Sequence, residues 1–254
     1  MKKRKAGIVI FVIVLIITAV RIKSMDSHRI SGRILAENIA GPGMLRLVEQ
    51  SMQARARKTS VTEIAVKERK HPQAALTFDD GPDIRYTPFL LDGLKERNVR
   101  VSFFLLGEKV EQYPELVERM QKEGHLVGNH TYHHVQLNKL NETKAREEIL
   151  KTNNLIYETT GVYPLYLRPP FGAWKKNLEL CVEMLPVFWT IDTLDWKVQN
   201  TEKIVRTVQE QIEDGAIILM HDEYDTSVEA ALQVVDELKN QGYELVTVDQ
   251  LILP

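Results

Sequence analysis

Two adjacent carboxylates, Asp79 and Asp80, follow an apolar, β-favouring run at residues 74–78 and precede Gly81 and Pro82. Gly-Pro cannot continue a strand, so the pair is expected where a buried strand ends and the chain turns. Successive strand side chains point to opposite faces, and both carboxylates can share one site only if the backbone turns there, which Gly81 permits. Two anionic groups so close together repel each other unless a cation lies nearby. The stretch therefore predicts a cation site, with a solvated turn as the alternative.

His130 and His134 are four residues apart, a spacing that puts both imidazoles on one side of a helical turn. Two neutral imidazoles and one carboxylate make a three-ligand site with an open position, the arrangement of a hydrolytic zinc. Asp80 is the carboxylate that the preceding stretch offers. We expect these three residues to bind one divalent metal ion, zinc as first choice and cobalt or nickel as alternatives. His133 is expected to be solvated or to support a ligand.

Four charged residues remain for roles other than metal binding. A water molecule that attacks a substrate needs a base beside it, and Asp79, next to the ligand Asp80, is placed for that role. Arg168 can hold that carboxylate ionised and oriented through paired hydrogen bonds. A leaving amine needs a proton, for which His221 is the natural donor, and Asp195 could support its protonated form. The alternatives are an ordinary ion pair for Arg168 and Asp195 and a satisfied core histidine for His221.

The elements that must position these residues alternate regularly from residue 74 onward. Because strands that alternate with helices pair in parallel, we predict an α/β fold, a distorted (β/α) barrel of about seven strands. Residues 73–254 are few for a full eight-unit barrel, and no glycine-rich phosphate loop follows the first strand, so no nucleotide cofactor is expected. The downstream strand ends should converge on one face. Expected strands are 74–78, 101–106, 125–128, 165–168, 187–192, 216–220 and 244–248, and expected helices include 87–96, 114–123, 142–159, 201–213 and 227–241.

The N-terminal region has the pattern of a membrane-targeting segment. Residues 2–5 are basic and residues 6–20 are uncharged and apolar, which is short for a membrane span of roughly 20 residues. No small-residue cleavage site follows, so we interpret residues 1–22 as an uncleaved signal anchor, with cleavage and secretion as the alternative. Residues 23–72 are interpreted as a stalk or partly packed linker. The heavier basic cluster precedes the apolar run, which places the domain at 73–254 outside the cytoplasm.

The main domain is acidic, because residues 73–254 contain 18 Lys and Arg against 30 Asp and Glu. An acidic surface argues against nucleic acid as a partner, since phosphate binding requires a basic face. Cys181 is the only cysteine of the sequence, so no internal disulfide can form, and we expect a small buried apolar residue there.

Five motifs follow one another along the chain: TFDDGP at 77–82, HTYHH at 130–134, RPPF at 168–171, DTLDW at 192–196 and LMHD at 219–222. In this order they resemble the motifs of the polysaccharide deacetylases, the NodB-homology domains of carbohydrate esterase family 4. The resemblance extends from about residue 74 to residue 248. It implies that Asp79 is the base with Arg168 as its partner, and that Asp195 tunes His221, the general acid. It also implies that Asp80, His130 and His134 are the metal ligands.

The same resemblance implies how an acetyl group would be held. The backbone N–H of Phe171 would help to bind the oxyanion, and Trp196 and Leu219 would form the walls around the acetyl methyl group. Many members of the family carry Tyr where this chain has Phe171, and since the backbone supplies the contact the difference is expected to matter little. The family's fold, a distorted (β/α) barrel, agrees with the alternation of elements.

The resemblance implies a metal-dependent hydrolase that removes N-acetyl groups from amino sugars of an extracellular polysaccharide. Peptidoglycan, at N-acetylglucosamine or N-acetylmuramic acid, is the first candidate, because an anchor and stalk would keep the domain near the envelope. Chitin-like oligomers are the second. A non-haem iron oxygenase also uses two histidines and a carboxylate, but it does not need Asp79, Arg168 and His221 together. A catalytically silent glycan-binding module is a further alternative, against which the intact base and acid argue.

Overall fold

A computed structural model describes residues 71–174 and 184–252 of the chain. The predicted anchor at 1–22 and nearly all of the predicted stalk at 23–72 lie outside the described residues, as does Cys181. Within the described ranges no helix has both the length and the apolar character needed to cross a bilayer. The strands are β1 Gln73–Asp79, β2 Ser102–Leu105, β3 Leu126–Asn129, β4 Tyr166–Leu167, β5 Leu185–Pro186, β6 Ile191–Asp192, β7 Ala216–His221 and β8 Glu244–Leu245.

The strands form one parallel sheet in the order β5-β4-β3-β2-β1-β7-β6. β8 pairs in parallel with the first two residues of β1. Helical crossovers connect strands that run in the same direction, which is the topology that the alternating sequence pattern predicts. The prediction of a distorted (β/α) barrel with about seven strands in its main path is confirmed. Among the described residues the sheet path ends at β5 on one side and at β6 on the other, and no ladder joins these two strands.

β1 is buried on both faces and separates the outer core from the barrel interior. Ala74, Leu76 and Phe78 belong to the large apolar cluster that packs under the surrounding helices. Ala75 belongs instead to a second cluster with Phe104. Because strand side chains alternate, Thr77 and Asp79 lie on the same face as Ala75, and Asp79 comes at the downstream end of that row. The sheet thus places one carboxylate at the interior end of its central strand.

Five of the predicted helices are present with ends within two residues of the expected ones. Asn141 and Asn200 accept hydrogen bonds from the N–H groups of Lys144 and Lys203, both at 2.9 Å, and so cap two of them. Gly161, with φ at 72°, ends the longest helix in the left-handed conformation that glycine adopts easily. The helices are α1 Thr87–Glu96, α2 Gly107–Gln112, α3 Pro114–Lys122, α4 Glu142–Thr160, α5 Asp195–Val198, α6 Thr201–Gln211, α7 Asp225–Asn240 and α8 Val248–Ile252.

The apolar run at 187–192 does not form the single strand that its composition predicts. The N–H of Val187 donates to Leu167 O of β4 at 2.8 Å, and the N–H of Thr190 donates to Ile217 O of β7 at 2.9 Å. The chain therefore uses these residues to cross the opening of the sheet from β5 to β6. The backbone N–H groups at the two ends of this segment form hydrogen bonds with two different strands, which one continuous strand could not do.

The turn after β1 occurs one residue earlier than expected. Asp80 itself adopts a left-handed conformation with φ at 67°, so the backbone already turns before Gly81. The need for glycine at 81 has a different cause, a close approach by a buried carboxylate. A Cβ atom added to Gly81 would lie 2.4 Å from Oδ1 of Asp222, well inside contact distance.

We predict that Gly81→Ala lowers the free energy of unfolding by about 1–3 kcal/mol, because the added methyl group cannot fit beside Asp222. The same clash should displace Asp80 and weaken metal binding at the neighbouring site. Thermal unfolding and metal titration of the variant measure both effects. In a double-mutant cycle, Asp222→Ala should recover part of the loss by removing the clashing oxygen. Strictly additive losses would show that the close approach is not the cause.

Candidate active site

The polar residues at the downstream strand ends surround one cavity of about 500 Å³. Asp79 ends β1, His130 follows β3, Arg168 follows β4 and His221 ends β7. The parallel arrangement makes these ends neighbours although they are far apart in sequence. Asp80, His134, Phe171, Trp196 and Leu219 also line the cavity, and Asp195 and Arg168 lie fully buried beneath it.

Asp80, His130 and His134 form a cluster with the geometry of a metal-ligand set. Oδ1 of Asp80 lies 3.4 Å from Nε2 of His130 and 3.4 Å from Nε2 of His134. The three candidate ligand atoms all lie within 4.8 Å of one another. In the described part of the chain this is the one group of three or more such side chains in that arrangement.

The protonation of the cluster fits a bound cation. Nδ1 of His130 lies 2.6 Å from the carbonyl oxygen of Arg168. A carbonyl can only accept, so Nδ1 carries the proton and Nε2 presents its lone pair toward Asp80. Burial lowers the pKa of His130 to about 3, so the ring is neutral. Oδ1 of Asp80 is buried and has no hydrogen-bond partner, which is the electrostatic environment that a cation would relieve.

The segment that carries the two histidines is a loop and not the helical turn that their spacing predicted. Thr131 and His134 have positive φ angles of 67° and 55°, yet the two imidazole rings still meet with centroids 5.1 Å apart. Contacts with other elements hold this loop. Oδ1 of Asn129 accepts the N–H of Thr131 at 2.6 Å, and Oε2 of Glu148 accepts the N–H of His133 at 2.9 Å. The helical spacing was correct about proximity and wrong about the backbone.

His133 lies outside the ligand cluster, as expected. Its side chain is 58% exposed, and Nδ1 lies 2.8 Å from Oε1 of Glu148. Glu148 is therefore a residue that supports the histidine loop. It comes from α4, and no sequence motif marks it, because its contact is made across the fold.

Asp79 and Arg168 form a buried ion pair beside the ligand cluster. One guanidinium nitrogen of Arg168, Nη1, donates to Oδ1 of Asp79 at 2.8 Å and to Oγ1 of Thr77 at 2.7 Å. Burial raises the pKa of the Asp79 carboxyl above its usual value, and the charge and hydrogen bond of Arg168 oppose that rise. Oδ2 of Asp79 lies 3.6 Å from Nε2 of His130. One oxygen of the carboxylate is thus held by Arg168 while the other faces the candidate metal site.

His221 and Asp195 form the second pair, and His221 is the register partner of Asp79 across the ladder between β7 and β1. Oδ1 of Asp195 lies 2.8 Å from Nδ1 of His221, and Oδ2 accepts the backbone N–H of His221 at 2.7 Å. Burial lowers the pKa of His221, but the hydrogen bond and charge of Asp195, together with Asp79 and Asp80, outweigh it and raise the pKa to about 9. Nε2 remains free and lies 3.9 Å from Oδ2 of Asp80. The ring is therefore protonated at neutral pH with one N–H directed at the cluster.

The residues expected to hold an acetyl group all lie at the cavity. Phe171 has φ at 58°, and the centroid of its ring lies 4.5 Å from that of His134. Within the described residues its backbone N–H has no hydrogen-bond acceptor. Leu219 is almost buried on β7, while Trp196 on α5 is 49% exposed. An apolar wall and a free N–H are thus present beside the candidate ligands.

Four residues that line the cavity were not singled out in the sequence. Trp189 lies in the segment that crosses the sheet opening, and its ring would contact a Cβ at Gly172. Asp192 ends β6, and two more residues follow β7, Glu223 and Tyr224. Asp192 stands inside a recognised motif and could have been found there. The other three required knowledge of which loops meet.

Comparisons with known proteins agree with this geometry. The family model described as polysaccharide deacetylase matches residues 66–187. The peptidoglycan-N-acetylglucosamine deacetylase PgdA of Listeria monocytogenes is 42% identical over 185 residues, which is 73% of this chain and 40% of PgdA. The chain therefore spans less than half of that relative. A peptidoglycan-N-acetylglucosamine deacetylase of Bacillus cereus is 40% identical over 186 residues, covering 70% of this chain and 68% of that protein.

A solved structure gives the same result for the fold. The solved structure of the peptidoglycan deacetylase PdaC from Bacillus subtilis superimposes with a TM-score of 0.70 at 42% sequence identity, over 72% of this chain and 91% of the chain in that structure. Identity at this level, over most of the described residues, is a relationship of family as well as of fold. The chain belongs to the polysaccharide deacetylase family.

Proposed function

We propose that this protein is a metal-dependent hydrolase that removes N-acetyl groups from amino sugars of peptidoglycan and releases acetate. One observation carries the proposal. Oδ2 of Asp79 lies 3.6 Å from Nε2 of His130, and Nε2 of His221 lies 3.9 Å from Oδ2 of Asp80, so both groups lie beside the candidate ligand cluster. A proton acceptor and a proton donor beside a cation site are what amide hydrolysis needs, because one proton must be taken from water and another given to nitrogen.

Asp80, His130 and His134 would hold the metal, and the two imidazoles with one carboxylate suit zinc, with cobalt and nickel as alternatives. A divalent cation bound there would polarise the acetyl carbonyl and make the attacking water more acidic. The unpartnered Oδ1 of Asp80 and the neutral His130 support this ligand set.

Asp79 is the base of the proposed reaction. Its Oδ2 accepts a proton from the attacking water while Oδ1 stays bonded to Arg168. The oxygen of that water bonds to the acetyl carbon, and the carbonyl oxygen gains negative charge. Burial makes the carboxylate more basic than an exposed aspartate, which favours proton acceptance.

His221 is the acid of the proposed reaction. As the bond between the acetyl carbon and the sugar nitrogen breaks, Nε2 of His221 gives its proton to that nitrogen, which leaves as an amine. Asp195 keeps the ring protonated until then and fixes its orientation through Nδ1. The products are acetate and a glycan with a free amino group.

Phe171, Trp196 and Leu219 would position the acetyl group between the base and the acid. The free N–H of Phe171 is available to the developing oxyanion, as in other hydrolases that use backbone donors. Leu219 and Trp196 give the methyl group an apolar wall. A ligand that satisfies both features has a carbonyl oxygen and a small apolar substituent, as an acetamide does.

The likeness to relatives named as peptidoglycan deacetylases supports peptidoglycan as the polymer, with chitooligosaccharides as the second candidate. An iron oxygenase with the same ligand types would not explain two separate proton-transfer pairs. A silent glycan-binding module would not need Asp79 and His221 held by buried partners. Residues 1–22 as an anchor and 23–72 as a stalk would keep the domain at 73–254 at the outer face of the membrane.

Three histidines in the segment that follows β3 allow a test of the metal ligands. Replacing His130 or His134 by Ala should abolish bound divalent metal and acetate release, because each removes one of three ligands. His133→Ala is the matched control and should keep both, since His133 lies outside the cluster. Metal content by elemental analysis and acetate release from glycan measure the outcome. Full metal occupancy in His130→Ala would remove His130 from the ligand set.

The base and the acid should fail in different ways. Asp79→Asn cannot accept a proton and should lower the rate by about 10²–10⁴ on amide and aryl ester substrates alike. His221→Ala should be far more damaging on N-acetylglucosamine oligomers than on p-nitrophenyl acetate, because a phenolate leaves without a proton and an amine does not. Both variants should retain metal. Equal losses of amide and ester hydrolysis in His221→Ala would contradict its role as acid.

The pH dependence should reveal the Asp195–His221 pair. Activity should decline above about pH 9, where the protonated His221 is lost. Asp195→Asn removes the anion that favours the protonated ring, so the pKa falls and the alkaline limb of kcat/KM should move down by about one to two pH units. The profile is measured by acetate release, with Asp236→Asn on α7 as a charge-matched control. An unmoved alkaline limb would show that another group supplies the proton.

The location prediction uses two forms of the protein. The full chain should fractionate with membranes, and a form that starts near Lys70 should be soluble and active, because residues 1–22 supply the anchor. Sequencing the mature N-terminus gives an independent measurement. A terminus processed just after residue 20 would contradict the anchor and favour secretion.

A further inference from the structure

One carboxylate in the cavity has no part in the proposed reaction. Asp192 ends β6 in register with Leu219 of β7, and both residues line the cavity. Its Oδ1 accepts the backbone N–H of Leu194 at 3.0 Å, which fixes the side chain. In the described residues Asp192 makes no ion pair, so its second oxygen remains an acceptor available to a ligand.

The position of Asp192 in the cavity would bring it close to carbon 3 of a bound amino sugar. Leu219 lies in the wall proposed to contact the acetyl methyl group, and Asp192 is its direct neighbour across the ladder. The acetamido group is attached to carbon 2 of the sugar. Carbon 2 is bonded to carbons 1 and 3. In an internal N-acetylglucosamine unit carbon 1 forms the glycosidic bond, so carbon 3 is the neighbour that carries a free hydroxyl group. In N-acetylmuramic acid this oxygen is an ether that carries a lactyl group and has no hydrogen to donate.

We infer that Asp192 selects N-acetylglucosamine over N-acetylmuramic acid by accepting a hydrogen bond from the hydroxyl on carbon 3. This inference rests on the proposed function. With N-acetylmuramic acid bound, the Asp192 carboxylate would face an ether oxygen and would lack a hydrogen-bond donor. A site built to bond a hydroxyl group rejects such an analogue strongly. The ionised lactyl group of a peptide-free strand adds a second penalty, because it would lie beside an anion.

The charges around the cavity support the same selection. Among the described residues that line it there is no Lys or Arg. Glu223, the other carboxylate outside the proposed reaction, forms an ion pair with Lys109 and is offset by it. The positive groups of the proposed reaction are paired as well, Arg168 with Asp79 and His221 with Asp195. Within the part of the chain that the structure describes, a lactyl carboxylate therefore finds no unpaired cationic side chain in the cavity lining to offset Asp192.

The test incubates the full metal-loaded protein with two tetrasaccharides in turn. The neutral one is tetra-N-acetylchitotetraose. The anionic one is a peptide-free strand of alternating N-acetylglucosamine and N-acetylmuramic acid. Mass spectrometry locates the free amines. The wild-type protein should expose amines on glucosamine units and leave muramic acid units acetylated.

Asp192→Asn should lower kcat/KM on the chitotetraose by about 10- to 100-fold, the usual value of a hydrogen bond to a charged group. The preference between the two sugar units should fall with it. The loss on p-nitrophenyl acetate, which has no sugar ring, should be much smaller, and metal content should stay the same. Asp236→Asn is the charge-matched control and should leave the selectivity unchanged.

Comparable amine formation on muramic acid units by the wild-type protein would overturn the inference while leaving the proposed function intact. Equal losses of Asp192→Asn on chitotetraose and on the aryl ester would also overturn it, since Asp192 would then act through the fold. No acetate from any sugar substrate would overturn the proposed function, and this inference with it.

Discussion

The fully buried guanidinium of Arg168 is the group on which both the sheet and the site depend. It donates to Thr77 and Asp79 of β1 and approaches the carbonyl oxygens of Val187 and Phe188, which cross the opening between β5 and β6. Its plane lies over the ring of Phe104, 4.2 Å from the centroid. A buried charge without its partner costs several kcal/mol of folding free energy. These contacts therefore stabilise the buried ion pair of Arg168 and Asp79. The residue that contacts the segment across the sheet opening is thus the one that orients Asp79, the proposed base.

The same residue contacts the candidate metal site through its backbone, because its carbonyl oxygen fixes the tautomer of His130. One strand end therefore orients both the carboxylate of Asp79 and the lone pair of His130. Asp195 contacts His221 through both the ring and the backbone N–H. We propose opposite roles for the two buried carboxylates: Arg168 opposes the rise in the pKa of Asp79, the proposed proton acceptor, and Asp195 favours the protonated form of His221, the proposed donor. That division follows from the neighbours of each carboxylate and not from its residue type.

The sequence predicted the parallel barrel and the meeting of its polar strand ends, because alternation and apolar runs are local signals. It also predicted the helix ends, where Asn141, Asn200 and Gly161 act within one turn. The sequence-based prediction was wrong at residues 187–192, whose two ends form hydrogen bonds with different strands, β4 and β7. It was also wrong at residues 130–134, where Asn129 and Glu148 stabilise a loop with two positive φ angles in place of a helical turn. The need for glycine at 81 comes from Asp222, distant in sequence. Trp189 and Glu223 join the cavity through loop packing that no local pattern encodes.

In the proposed reaction, water with Asp79 as its base cleaves an amide of an N-acetylated glycan. This can be tested by incubating the metal-loaded protein with tetra-N-acetylchitotetraose in water labelled with heavy oxygen and analysing acetate and sugar by mass spectrometry. We expect acetate that carries one labelled oxygen, and a sugar chain of unchanged length with free amines and no label. Label in the sugar, shortened chains, or acetyl groups that remain intact would contradict it.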